Sequence, residues 1–120
     1  MQNQIVWADI PVTNLDRAIK FYTSLLQGQV TKQTFEQLTF AILPHSGTNV
    51  SACLIEQPQE HITDKGPLLY FNVDGRLKEA VELAKSFNVK ILEEYTDMGP
   101  HGKRAVLHDS EGNRIALHSH

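Results

Sequence analysis

Cysteine is scarce in this sequence. Cys53 is the only cysteine among 120 residues, so the chain can form neither an internal disulfide nor a zinc site built from several cysteines. Because Cys53 stands between Ala52 and Leu54, we predict a small buried side chain rather than a nucleophile. Stability must come from hydrophobic packing, and 41% hydrophobic residues are enough for one compact domain of this length.

Long hydrophobic runs and clusters of one charge are also missing. No stretch approaches the roughly 18 apolar residues that a transmembrane helix needs, and Met1 to Gln4 lack the basic start of a signal peptide. The formal net charge is -3, with both signs scattered along the chain, which disfavours nucleic acid and membrane surfaces as partners. We therefore expect a cytoplasmic protein.

The first half of the sequence predicts one strand, one helix and three further strands. Residues 5–12 are rich in β-branched and aromatic side chains, as is typical of a strand. Thr13 and Asn14 are good N-caps for a helix whose apolar residues recur at three- and four-residue steps as far as Gly28. The next strands are predicted at residues 30–32, 35–43 and 50–56.

The second half repeats this order at an offset close to half the chain. Residues 68–73 predict a strand, and residues 74–87 predict a helix with Asp74 as its N-cap. Asn88 suits the left-handed conformation that often ends a helix. The last three strands are predicted at residues 89–95, 103–108 and 114–118.

The duplicated pattern predicts a single α+β domain built from two tandem βαβββ modules. Module one spans residues 1–56 and module two spans residues 68–120, with a polar linker at 57–67 that contains proline and glycine. Each module has one helix for one face of its sheet. The helices should therefore lie outside, and the inner faces of a curved mixed sheet should form a cup, which is a common place for a ligand site.

Three segments carry a family resemblance. Residues 10–22 (IPVTNLDRAIKFY) are similar to a V-x-(D/N)-L-x-R-A-x-x-F-Y stretch, and residues 107–117 (LHDSEGNRIAL) are similar to a D-P-(D/E)-G-N-x-(I/V)-x-L hairpin. Residues 71–74 (FNVD) match the entry to the second helix. Together they resemble the vicinal oxygen chelate superfamily of glyoxalases, bleomycin resistance proteins and extradiol dioxygenases. This resemblance implies the same fold of two βαβββ modules.

The resemblance also implies where a divalent metal would be bound. Members that use a metal hold it with side chains of the first, fourth, fifth and eighth strands. The matching positions here are Trp7, Leu68 and Ala116, with the fourth-strand position near residues 50–52, and none offers a strong ligand. We therefore expect no metal cofactor at the usual site, and glyoxalase I activity is disfavoured because the metal supplies its catalysis.

Several side chains are candidates for a ligand site in the cup. Side chains alternate along a strand, so residues at even spacing from the metal positions share their face. One further candidate, His101, lies in a loop that leads into the seventh strand. The predicted ligand-binding residues are Trp7, Asp9, Leu68, Tyr70, Asn72, His101, Ala116 and His118.

Of the six histidines, His118 is the candidate catalytic residue, because an imidazole titrates near neutral pH. A cavity wall role without catalysis is the alternative. We expect His45, His61 and His108 to be solvated. Residues 109–113 contain acidic side chains but lack the spacing of a calcium loop, so a hairpin turn is predicted there.

These features leave three functional hypotheses. The first is a homodimeric protein that binds a small, partly apolar or aromatic molecule without a metal. The second is a glyoxalase-like lyase or isomerase that uses a relocated divalent metal or a histidine acid or base. The third is an interaction module whose cup is filled by its own side chains.

Overall fold

The repeat predicted from the sequence is present in the fold. The computed structural model describes residues 3–47 and 49–120, so the expectation for Met1 to Gln4 falls partly outside the described residues. The elements are β1 (Trp7–Val12), α1 (Leu15–Leu26), β2 (Thr31–Phe35), β3 (Leu38–Ile42), β4 (Ser51–Glu56), β5 (Leu69–Asn72), α2 (Leu77–Lys85), β6 (Ile91–Asp97), β7 (Lys103–His108) and β8 (Arg114–Ser119). This order is βαβββ written twice. Short 3₁₀ turns at Gln59–His61 and Gly99–His101 lie in connecting segments.

The strands form two four-stranded mixed sheets. Their orders are β1-β4-β3-β2 and β5-β8-β7-β6, and in each sheet the first strand of the module runs parallel to the last. Helix α1 packs on β3 and β4, and α2 packs on β7 and β8. The helices lie outside the sheets, which confirms the predicted α+β class. None of the helices in the described part of the chain has the length and apolar content needed to cross a membrane.

The helix-facing side chains of both sheets form one continuous core. Phe21 and Tyr22 of α1 are fully buried and extend this core across the two modules. The ring of Phe21 meets Phe87 edge to face at 5.3 Å, and Tyr22 lies 5.5 Å from Phe71. Since alternate residues point to opposite sides of a strand, the residues between these core positions are left on the open faces of the sheets.

The loop between β7 and β8 clamps the start of α1. The Glu111 side chain is fully buried and accepts hydrogen bonds from the backbone amides of Thr13 (3.0 Å) and Asn14 (2.9 Å) and from Arg17 Nε (2.7 Å). Burial opposes ionisation, but the hydrogen bonds from Arg17, Asn14, Ser110 and Thr13 outweigh it and lower the pKa of Glu111 to about 2. This carboxylate therefore joins module two to module one.

A second buried carboxylate lies behind the first. Asp109 accepts a 2.6 Å hydrogen bond from the hydroxyl of Tyr22 and bonds of 2.9 Å from the backbone and side-chain amides of Asn113. Asn113 in turn donates to the carbonyl of Pro11 at 2.8 Å. Burial nevertheless raises the pKa of Asp109. The predicted hairpin turn at residues 109–113 is confirmed, and its polar side chains serve the contact between modules.

Several helix boundaries confirm the sequence prediction and others do not. Asn14 caps α1 by accepting from the Arg17 amide at 3.0 Å, and Asn88 adopts the predicted left-handed conformation. The prediction of Asp74 as N-cap is wrong. Helix α2 begins at Leu77, and Asp74 instead accepts from the backbone of His120 at 2.7 Å, which lowers its pKa.

Two further predictions in module one need correction. Gln27, rather than Gly28, takes the left-handed position after α1, with φ of 54°. A Cβ on Gly28 would lie 2.8 Å from Pro44 Cγ, so the glycine is required by this close approach. The strand predicted at residues 35–43 is broken at Glu36, whose φ of 57° forms the turn between β2 and β3.

The prediction for one histidine is also wrong. His108 is the last residue of β7, its side chain is only 19% exposed, and its Nε2 atom lies 3.2 Å from Asp64 Oδ2. This contact lowers the pKa of Asp64. His45 and His61 are exposed, as predicted.

Candidate functional site

Four of the predicted ligand-binding residues share a cavity on the open face of module two. Tyr70 and Asn72 lie on β5, His118 lies on the neighbouring β8, and His101 approaches from the segment before β7. The cavity has a volume of about 750 Å³ and is also lined by Met98 and His120, among others. This volume lies in the range of pockets that hold small organic molecules. We call it the His118 cavity.

An arginine that the sequence prediction missed holds Tyr70 in place. Arg104 of β7 donates from Nη1 to the Tyr70 hydroxyl and lies 5.8 Å from the centre of its ring. The guanidinium is fixed by Glu93, which accepts from Nε at 2.9 Å and from Nη2 at 3.2 Å. The hydrogen bonds to Glu93, and after them the bond to Tyr70, raise the pKa of Arg104. The result is a tyrosine residue that is 46% exposed yet anchored at its hydroxyl.

The geometry around His118 fixes its tautomer. The Nε2 atom lies 2.7 Å from the carbonyl oxygen of His101. A carbonyl can only accept, so Nε2 must carry the proton. In the neutral ring the lone pair is then on Nδ1, which makes that atom the acceptor. The ring of Tyr70 stands edge-on to His118 at 6.1 Å, and that of His120 at 5.3 Å.

Gly102 permits the close approach of His101 to His118. It has φ of 89°, and a Cβ built on it would lie 2.5 Å from the carbonyl oxygen of Ser119 and 2.9 Å from His118 Nε2. Any other residue at this position would displace the ring or the loop. Sequence reasoning identified the loop but not this contact. The alternation of β7 could have indicated Arg104, which is paired with His118 across the ladder.

The predicted residues of module one lie elsewhere. Within the described residues, the lining of the His118 cavity includes neither Trp7 nor Asp9. Trp7 is 38% exposed, and its ring meets His45 edge to face at 5.6 Å. Asp9 accepts a hydrogen bond from the thiol of Cys53 at 3.2 Å. Cys53 is buried, as predicted, and its burial raises the pKa of the thiol.

The side chains at the positions implied for a divalent metal do not fit one. Trp7 and Leu68 lack a suitable donor, and Leu68 is half-buried just before β5. Ala116 is fully buried between Tyr70 and Val106 in the sheet register, so in one chain it offers no free surface. The Ser51 hydroxyl donates to the carbonyls of Leu43 and Pro44. In residues 3–47 and 49–120, no three His, Cys, Asp or Glu side chains are grouped to hold a metal ion.

Comparison with known proteins agrees with the duplicated fold. The chain is 28% identical, in an alignment of 128 positions including gaps, to a glyoxylase-like domain-containing protein from Didymella fabae. The alignment covers 98% of this chain and 94% of that protein. The crystal structure of a glyoxylase/bleomycin resistance protein/dioxygenase domain from a Frankia species has a TM-score of 0.72 at 17% identity, with 99% of this chain and 93% of that chain covered.

Fosfomycin resistance proteins share the fold as well. FosX from Listeria monocytogenes, solved in complex with Mn(II) and sulfate, has a TM-score of 0.73 at 14% identity and covers 99% of this chain and 91% of its own. The family model of the Glyoxalase/Bleomycin resistance protein/Dioxygenase superfamily matches residues 4–117. The chain belongs to this superfamily.

Proposed function

We propose that the protein binds a small, partly apolar or aromatic molecule in the His118 cavity, without a metal at the family position. The observation that carries this proposal is the exposed ring of Tyr70, which Arg104 and Glu93 hold rigidly at the cavity wall. An anchored aromatic ring loses little entropy when a flat ligand stacks on it. Asn72 and the Nδ1 atom of His118 supply polar contacts that could orient such a ligand.

A neutral aromatic probe tests this proposal. We expect 2-naphthol to bind the full chain saturably, measured by its own fluorescence and by the rise in melting temperature. Replacement Tyr70→Ala should weaken binding roughly tenfold, because it removes both stacking and apolar contact. Tyr95→Ala is the matched control, since Tyr95 is 59% exposed and does not line the His118 cavity. Absence of saturable binding, or equal effects of the two substitutions, would contradict the proposal.

The metal-free part of the proposal needs a separate measurement. Elemental analysis of tag-free protein, before and after incubation with nickel, zinc, manganese or iron(II), should give no stoichiometric ion. Trp7, Leu68 and Ala116 support this expectation, because their side chains offer no ligand atoms. A stoichiometric ion that is lost in His118→Ala would instead indicate a relocated site.

The tautomer of His118 favours one alternative, a glyoxalase-like lyase or isomerase with a histidine base. The His101 carbonyl holds the proton on Nε2, so Nδ1 is the atom that could accept a proton from a substrate. Glyoxalase turnover by the wild-type chain, abolished in His118→Ala and retained in His108→Ala, would favour this alternative over simple binding.

A cytoplasmic homodimer completes the proposal. The open face of module one carries Phe35 and Leu38, which pair in register and are 63% and 50% exposed, and large exposed apolar patches commonly mark interfaces. Light scattering of the full chain should give twice the monomer mass, and Leu38→Ser should reduce that mass or weaken the association. A monomer at all concentrations would refute the dimer. The single unpaired cysteine suits a reducing compartment.

A further inference from the structure

A second cavity lies at the junction of the two modules. It has a volume of about 390 Å³ and is enclosed by β1, the linker before β5 and the start of β8. Its polar lining residues are Asp9, His61, Thr63, Asn113 and Arg114, and its apolar walls include Ile10 and Leu69. The cavity shares no lining residue with the His118 cavity.

The guanidinium of Arg114 is incompletely paired in this cavity. Its Nη2 atom donates to the carbonyl of Gly66 at 2.9 Å, which fixes the side chain against the linker. Its Nε atom is buried and has no hydrogen-bond partner within the described ranges. Arg114 also forms no ion pair with an acidic side chain of those ranges. A buried cationic donor without an acceptor is unfavourable, and an anionic ligand would relieve this cost.

We propose that this cavity binds a small monocarboxylate with an apolar body. The carboxylate would pair with the guanidinium of Arg114, which lines the cavity. A small turn of the side chain would bring the buried Nε within reach, since the fork of a guanidinium matches the two oxygens of a carboxylate. The apolar body would lie against Ile10 and Leu69. Asp9 lines the same cavity, and its negative charge disfavours a dianion such as phosphate.

Benzoate is a suitable probe, with benzyl alcohol as its neutral counterpart. Calorimetric titration of the full chain should show saturable binding of benzoate and at least tenfold weaker binding of benzyl alcohol. Arg114→Met keeps an apolar stem of similar length but removes the charge, and it should weaken benzoate binding tenfold or more. Arg76→Met, the matched control, removes the same charge from a residue that lines neither cavity and should leave benzoate affinity unchanged.

Three results would overturn the proposal: no saturable benzoate binding, equal binding of benzyl alcohol, or unchanged affinity in Arg114→Met. If Arg114→Met fails to fold, amide chemical shifts of the wild-type chain decide. Benzoate should then shift the amides of Thr63, Gly66 and Ile115. Shifts confined to Asn72 and His101 would place the ligand in the His118 cavity and would refute a separate site, even if 2-naphthol binds as proposed.

Discussion

Replacement of Glu111 by Gln should weaken the contact between the two modules and lower the free energy of unfolding. The carboxylate holds the first turn of α1 from a position in module two, and its pKa falls from 4.5 to about 2. At about 1.4 kcal/mol per pKa unit, this shift corresponds to roughly 3 kcal/mol of favourable interaction. Arg17 is about half exposed, so solvent screening reduces the contribution of its ion pair with Glu111 to this free energy. We expect Glu111→Gln to cost about 2–3 kcal/mol of the free energy of unfolding.

The sign of the pH dependence follows from the lowered pKa. A depressed carboxyl pKa stabilises the folded chain above the unfolded pKa near 4.5, and this stability is lost as pH falls toward 2. The difference in the free energy of unfolding between wild type and Glu111→Gln should therefore be constant from about pH 6 upward. It should narrow below pH 4.5, because the carboxyl group then binds a proton in the unfolded wild-type chain, whereas in the folded chain it stays ionised down to about pH 2.

Urea unfolding followed by circular dichroism measures this difference directly. At neutral pH the melting temperature should also fall by roughly 10 °C, given about 3–5 °C per kcal/mol for a domain of this size. Glu60→Gln, at an exposed position of the linker, is the control and should change stability by less than about 0.5 kcal/mol. A cost below 1 kcal/mol for Glu111→Gln, or one that does not change between pH 6 and pH 3, would refute the reasoning.

Two other substitutions test the buried contacts. Tyr22→Phe removes the 2.6 Å donor to Asp109, so urea unfolding should show a loss of about 1–3 kcal/mol; this loss should increase as pH rises, because the ionised form of Asp109 needs the donor more. Gly102→Ala should destabilise the fold by roughly 1–3 kcal/mol through its positive φ. Its crowding of His118 should also weaken 2-naphthol binding, and calorimetry showing unchanged affinity would contradict the positioning role of this glycine.

The fold could be predicted from the sequence where local signals and tertiary contacts agree. Asn14 at the start of α1 is an example, because its side chain performs the capping that its residue type indicates. Asp74 shows the opposite case. Aspartate is as good a capping residue as asparagine, but the carboxylate of Asp74 accepts hydrogen bonds from Ser119 and His120, 45 and 46 residues away. A local sequence pattern carries no information about such long-range partners.

The candidate site was only partly predictable for the same reason. Strand alternation placed Tyr70, Asn72 and His118 on one face, and the structure brings them to one cavity. Alternation along β7 also indicates the face of Arg104, but it does not give the register that places Arg104 opposite His118, so Arg104 was missed. Alternation also does not give the arrangement of the two modules. Trp7 and Asp9 were therefore predicted to share a cavity with Tyr70 and His118, but within the described residues neither of them lines the His118 cavity.

The segments that identify the family are structural in this chain. Thr13, Asn14 and Arg17 come from the opening motif, and Glu111 comes from the closing hairpin; they meet in one buried network between the modules. A contact of this kind maintains the duplicated fold whatever ligand the protein binds, because none of its hydrogen bonds involves a metal ligand. The family motifs therefore account for the clamp around Glu111, whereas the binding proposed above depends on side chains such as Tyr70 and Arg114, which those motifs do not specify.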